Sequence, residues 1–172
     1  QLKKMVRTHP PLLSYSVEAN MEPKFEWLQK RLYLNNGEQL RKVAGRHASV
    51  LSTSIDSIES KIGWLQTRLD LDDAGLRKIV LTLPPLLGLS VEDNLAPKLA
   101  YLEREIGLSR PELRDHVLRI PAIFAYSLDK RYRPRVEASR AAGVDATYVL
   151  TNIPLTDEKF YKRLERRGRA QV

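Results

Sequence analysis

The sequence predicts an all-α protein, a helical-repeat solenoid in which helix–3₁₀–helix units of about 37 residues stack into a superhelix. The main observation is internal similarity: the segment PPLLSYSVEANMEPKFEWL, from Pro10, recurs without a gap as PPLLGLSVEDNLAPKLAYL, from Pro84. A third copy follows around Pro121, and a weaker copy around Ser54 needs one deleted residue. In addition, no segment carries the pattern of a strand. A unit of this size cannot bury its apolar face alone, so it must stack on its neighbours.

Each unit opens with a short amphipathic helix, whose apolar residues recur at i, i+3, i+4 and i+7 and so share one face. Prolines then end the helix, because they lack an N–H group and disfavour helix in the residue before them. The apolar pairs after the prolines, such as Leu86–Leu87, predict a short 3₁₀ turn inserted into the core. The four apolar sets are Leu2, Met5, Val6 and His9; Leu40, Val43, Ala44 and His47; Leu76, Ile79, Val80 and Leu83; and Leu113, His116, Val117 and Ile120.

A second helix follows in each unit. Its predicted N-caps are serines, each followed two residues later by an acid that suits the positive helix N-terminus: Ser16, Ser54, Ser90 and Ser127. Prolines 23, 97 and 134 kink this helix or mark its true start, and repeat two, which lacks the proline, should be straighter. The helix ends are expected at Asn35–Gly37, Gly75, Gly107 and Gly143. One repeat domain is therefore predicted over residues 1–172, with units 1–37, 38–74, 75–111 and 112–145 and capping helices in 146–172.

The charge of the chain is basic and uneven. There are 29 Lys and Arg residues against 21 Asp and Glu, a net charge of +8. Residues 130–172 hold 11 of these basic side chains and 5 of the acidic ones. This asymmetry favours a polyanionic partner, with nucleic acid ahead of a membrane. No apolar run approaches the roughly 20 residues of a membrane span. With no cysteine, disulfides and thiolate metal sites are excluded.

The repeated motif P-x-L-L-x-x-S-x-E-x-N-L-x-P-K-x-x-x-L resembles that of the mitochondrial transcription termination factor (mTERF) family. The ending, from Leu155 to Leu164, also resembles the last helix of such proteins. The resemblance implies an all-helical superhelix whose concave basic groove binds nucleic acid in mitochondria or chloroplasts. It also implies a role in transcription termination, or in rRNA maturation or intron splicing. The chain starts at Gln1 within a helical pattern, so we expect it to be the C-terminal part of a longer protein with a targeting peptide.

Three groups of basic residues are candidate nucleic-acid contacts, because a cation once per repeat can follow a phosphate backbone. The alternative for any one of them is a solvated helix face. The first cation series lies on the first helices: Arg41, Lys42, Arg46, Arg77, Lys78, Arg114 and Arg119. The second cation series lies on the second helices, with stems expected to pack and heads expected to reach solvent: Lys24, Lys61, Lys98 and Arg135. The C-terminal cluster comprises Arg131, Arg133, Lys162, Arg163, Arg166 and Arg167. The sequence does not decide which series faces the groove.

Other kinds of site find little support. The histidines at 9, 47 and 116 stand where sister repeats carry aliphatic residues, so we interpret them as packing residues and not as metal ligands. No catalytic motif occurs, and we expect neither an enzyme nor a cofactor. The leading hypothesis is a monomer that binds double-stranded DNA and promotes termination. The alternatives are an RNA-binding factor and a solenoid that recruits a partner enzyme.

Overall fold

The computed structural model describes residue 16 and residues 20–46 and 49–169, without the side chains of 44–46 and 49. His9, His47 and the first helix of repeat one lie outside this part. Within it the protein is helical and contains no strand, which confirms the predicted fold class. The α-helices are α1 (Glu22–Arg31), α2 (Gly37–Arg46), α3 (Ser49–Ser52), α4 (Ile55–Leu69), α5 (Asp73–Thr82), α6 (Ala96–Ile106), α7 (Arg110–Arg119), α8 (Arg133–Ala141), α9 (Tyr148–Asn152) and α10 (Asp157–Arg169).

The predicted helix–3₁₀–helix order is found in repeats three and four. There, 3₁₀ helices occupy Pro84–Gly88 and Pro121–Ala125, directly after the first helices α5 and α7. Repeat two has no proline at this position and forms the short α3 instead. In all three places leucine or phenylalanine side chains enter the core, since Leu51, Leu87 and Phe124 are buried.

A π-helical turn precedes the second helix in repeats three and four, at Val91–Leu95 and Leu128–Tyr132. In the second of these turns Tyr132 N–H donates to the carbonyl of Ser127, five residues back, at 3.3 Å. Such a turn contains one residue more than an α-turn. Repeat two lacks it, because α4 is α-helical from Ile55 onward. The residue missing from repeat two in the sequence comparison is therefore the extra residue of the π-turn.

Two of the predicted N-caps, Ser54 and Ser127, are confirmed. The Ser54 and Ser127 hydroxyls accept hydrogen bonds from backbone N–H groups three residues on, at 3.2 and 3.1 Å. Pro97 and Pro134 lie in the first turns of α6 and α8, after the π-turns, so they mark the start of regular α-helix.

The predicted helix ends are confirmed in part. Gly107 (φ +80°) and Gly143 (φ +68°) follow α6 and α8 in the left-handed conformation that glycine adopts at low cost. The expectation for Gly75 is wrong, because this residue is buried inside α5. Asp70, at φ +51°, ends α4 in its place.

The chain divides into two compact units, one extending to Val91 and the other starting at Glu92. The division falls inside the predicted third repeat. The core of the first unit brings together α1, α2, α4 and α5 through residues such as Leu28, Val43, Ile62 and Val80. In the second unit the α-helices from α6 to α10 all contribute buried residues, among them Leu99, Val117, Val136, Val149 and Phe160.

Candidate nucleic-acid interface

The C-terminal helix α10 carries the densest exposed positive charge among the described residues. Thr156 precedes the helix, and its hydroxyl accepts a hydrogen bond from Lys159 N–H at 3.4 Å. Phe160 and Leu164 are buried and define the face that packs. At 100° per residue, the basic side chains fall on an arc of roughly 160° that leaves out the acidic residues of the helix. We call these exposed side chains the cationic face: Lys159, Lys162, Arg163, Arg166, Arg167 and Arg169.

The buried side of α10 is held by an aromatic contact and a close helix approach. The ring of Phe160 lies 5.9 Å from that of Tyr148 on α9. At the other end of the helix, a Cβ atom on Gly168 would lie 3.1 Å from the carbonyl oxygen of Ala142, so glycine allows α10 to approach the end of α8. These contacts direct the cationic face away from the core.

Arg131 and Arg133 extend the basic surface of this unit. The Arg131 guanidinium lies 5.0 Å from the centre of the Tyr126 ring and donates to the Ile153 carbonyl at 3.4 Å. Arg133 is exposed, pairs with Asp129 at 2.9 Å and lies over the ring of Tyr101 at 5.1 Å. Both arginines keep part of their surface accessible while an aromatic ring restricts their orientation.

For the second cation series, the prediction that the charged heads reach solvent is wrong, because all four side chains are buried. Lys98 is 5% exposed and Arg135 is 1% exposed. The Lys24 ammonium group donates to the carbonyl of Leu51. The Lys61 ammonium group donates to the carbonyl of Leu87 and the Lys98 ammonium group to the carbonyl of Phe124, and these two bonds are 2.5 Å long. The prediction that Lys98 and Arg135 contact nucleic acid is therefore wrong, because neither presents a charged group to an approaching phosphate.

The first cation series is mixed. Arg41, Lys42 and Lys78 in the first unit and Arg119 in the second are exposed and stay predictions as contacts. Arg77 is half-buried and donates to the Gln39 side chain of the preceding repeat at 3.2 Å. Arg114 is half-buried beside Asp115. The side chain of Arg46 lies outside the described residues.

A cleft of about 590 Å³ in the second unit brings together basic residues that are far apart in sequence. Arg119 from α7 and Arg167 from α10 both line it, together with Tyr148 and His116. The Arg167 guanidinium lies 5.8 Å from the Tyr148 ring centre. His116 is buried; burial and, to a lesser extent, Arg119 lower its pKa to about 4, so the imidazole is neutral at pH 7. This confirms that His116 is a packing residue.

A family model described as mTERF matches residues 1–161. The chain belongs to the mTERF family. Proteins of this family are organellar in general and regulate organelle gene expression by binding nucleic acid. In this mTERF chain the matched region ends at Tyr161, inside α10, so most of the cationic face lies beyond it. Comparison with curated proteins finds no match.

In the ranges 20–46 and 49–169 of this mTERF protein, no helix is long and apolar enough to cross a bilayer. The same part of the chain contains no group of three or more His, Cys, Asp or Glu side chains placed to hold a metal ion.

The sequence predicts the C-terminal cluster, but it does not show which aromatic rings lie against its arginines. Tyr101, on α6, was not among the candidates, although it lies under Arg133 from α8. One signal did mark the buried series of this mTERF chain. In three copies the buried cation directly follows a proline, whereas the exposed cations of the first helices have no proline before them.

Proposed function

We propose that this protein binds double-stranded DNA through the cationic face of α10, together with Arg131 and Arg133, and promotes transcription termination in a mitochondrion or chloroplast. The observation that carries the proposal is the exposed arc of six basic side chains on one helix. Phosphates attract such a surface whatever the base sequence, and they fix the protein on the duplex.

Sequence preference requires contacts with base edges. An α-helix fits the major groove, where arginine binds guanine N7 and O6 through two hydrogen bonds. We assign this role to Arg163, Arg166 and Arg167, three of the exposed arginines of the cationic face. A protein bound in this way obstructs a transcribing polymerase without chemistry of its own. We therefore infer a non-enzymatic role, performed by a monomer.

RNA is the second candidate ligand, and a specific observation favours it. Arg131 lies against Tyr126 and Arg167 lies against Tyr148, and all four residues keep accessible surface. Aromatic rings beside arginines suit the stacking of unpaired bases, which RNA loops and single strands supply. In that case the protein acts in rRNA maturation or intron splicing.

Competition binding separates the two candidates. A labelled duplex DNA is displaced by unlabelled duplex DNA, duplex RNA or single strands of the same sequence. If the protein binds DNA as proposed, duplex DNA displaces the probe at the lowest concentration. Stronger displacement by single-stranded RNA contradicts the proposal and supports the RNA alternative. In vitro transcription across the bound site then tests termination, for which we expect shortened transcripts that require the protein.

A further inference from the structure

We propose that one buried cation in each repeat fixes the short helical turn of the next repeat, and that the last of these cations, Arg135, is the positioning residue for the cationic face. The first part concerns the fold alone. The second part rests on the proposed function, because it assigns Arg135 a role in nucleic-acid binding. We call Lys24, Lys61, Lys98 and Arg135 the connector residues.

The connector residues occupy equivalent places on successive second helices. Lys98 follows Ser90 by eight residues, Arg135 follows Ser127 by eight, and Lys61 follows Ser54 by seven because α4 has no π-turn. The three lysines donate to carbonyls 26 or 27 residues later. Each acceptor is the second-last residue of a short helical turn: Leu51 in α3, Leu87 in Pro84–Gly88 and Phe124 in Pro121–Ala125.

These carbonyls are suitable partners for a buried ammonium group. The last carbonyls of a helix have no partner within it and carry partial negative charge. A buried ammonium group likewise needs acceptors, since burial without them is unfavourable. Lys98 has a second acceptor, the side-chain oxygen of Asn94 at 2.8 Å. Each of these hydrogen bonds therefore gives the buried ammonium group an acceptor and gives a carbonyl at the helix end of the next repeat a donor.

Arg135 has different partners from the three lysines, because its partners belong to two elements and not to one short turn. No 3₁₀ turn follows α8; the next elements are α9 and α10. The guanidinium donates to three carbonyls at the end of α9 and in the segment after it, and to the carboxylate that starts α10: Asn152 at 3.0 Å, Ile153 at 3.1 Å, Leu155 at 2.7 Å and Asp157 at 2.7 Å. It also lies 4.4 Å from the centre of the Phe160 ring.

A lysine has three donors on one atom, whereas the planar guanidinium has five in a fixed arrangement. Arginine therefore suits acceptors that are spread over two elements. Because Arg135 joins the end of α9 to the start of α10, it sets the orientation of α10. The buried Arg135 therefore determines where the exposed cations of α10 lie.

Hydrogen exchange on the full chain tests the connector role. In Lys61→Met, we expect the amides of Leu86 and Leu89, which are hydrogen-bonded in the 3₁₀ turn, to exchange about tenfold faster or more, with smaller changes in α1 and α2. Lys78→Met, an exposed lysine of α5, is the control and should leave these amides protected. Faster exchange confined to α4, or none, overturns the connector role. If Lys61→Met does not fold, Lys61→Gln, which is shorter and uncharged, replaces it. We expect the same amides to exchange faster by a smaller factor, and unchanged exchange at Leu86 and Leu89 overturns the connector role.

The positioning role of Arg135 is tested by two readouts on Arg135→Met, Arg135→Lys and the exposed control Arg133→Met. We expect Arg135→Met to speed exchange in Phe160–Arg167 about tenfold and to weaken duplex DNA binding, with partial rescue of both by Arg135→Lys. Arg133→Met removes the same charge and should leave α10 protected. If α10 stays protected in Arg135→Met, the positioning role is wrong. If α10 loses protection while affinity is unchanged, the connector role holds and the proposed DNA-binding surface is wrong.

Discussion

Basic residues of the same type serve opposite purposes in this protein, and the packing around each side chain decides which. Lys98 and Lys159 both lie on amphipathic helices, yet Lys98 is 5% exposed and Lys159 is exposed to solvent. The sequence places the second cation series beside the apolar stripe, where a long side chain can point either way. Only the position of the next repeat's carbonyl decides the direction. This is why sequence reasoning recognised the series but assigned Lys98 and Arg135 to the wrong partner.

At the residue scale, His116 makes stability depend on pH. Its pKa is about 4 in the folded protein against 6.5 for an ordinary histidine, mainly because burial disfavours the charged form. Between these two pKa values the unfolded chain binds more protons than the folded protein does. Stability is therefore complete above pH 6.5 and falls as the pH drops towards 4. We expect a loss of about 2 kcal/mol between pH 7.5 and pH 5 from this group.

Urea unfolding across this pH range checks the prediction with His116→Ile, which introduces the residue that repeat three carries at the equivalent position, Ile79. The variant should lose most of the pH dependence between pH 5 and pH 7.5. It also removes a buried ring nitrogen, Nε2, that has no hydrogen-bond partner. An unchanged pH dependence would show that His116 does not titrate as described.

At the scale of elements, the prolines and N-cap serines predicted the order of helices and their starts. The 3₁₀ helix at Pro84–Gly88 follows directly from the proline pair. The π-turns were not predicted. Their only trace in the sequence is that repeats three and four have one residue more than repeat two between the serine and the buried cation. Gly75 was misplaced for a related reason: Asp70 takes the left-handed position that ends α4, which the pattern of glycines does not reveal.

Two glycines with opposite roles give a matched prediction for the elements. Gly63 lies in the middle of α4 with no atom near enough to meet an added Cβ, so Gly63→Ala should stabilise the protein by about 0.5–1 kcal/mol. Gly107 ends α6 at φ +80°, so Gly107→Ala should destabilise it by about 1 kcal/mol. Thermal unfolding of the two variants should give shifts of opposite sign. Shifts of the same sign contradict this assignment of the two positions.

At the scale of the whole molecule, repetition and charge were the most informative properties. Self-similarity predicted a helical repeat protein, and the family match confirms that class. The excess of basic residues after position 129 predicted where the exposed charge would concentrate, and α10 carries most of it. The charge pattern did not reveal which cations stay accessible to solvent. Accessibility depends on packing, as the buried Arg135 shows.

The most direct test of the account is the salt dependence of duplex DNA binding between 50 and 200 mM salt. If the six side chains of the cationic face neutralise about six phosphates, affinity should fall roughly a thousandfold over this range. The combined variant Lys162→Gln, Arg163→Gln, Arg166→Gln and Arg167→Gln should keep its fold and lose about two thirds of that slope. A flat response in the unaltered protein, or the same slope in the variant, would contradict the claim that α10 binds the nucleic-acid backbone.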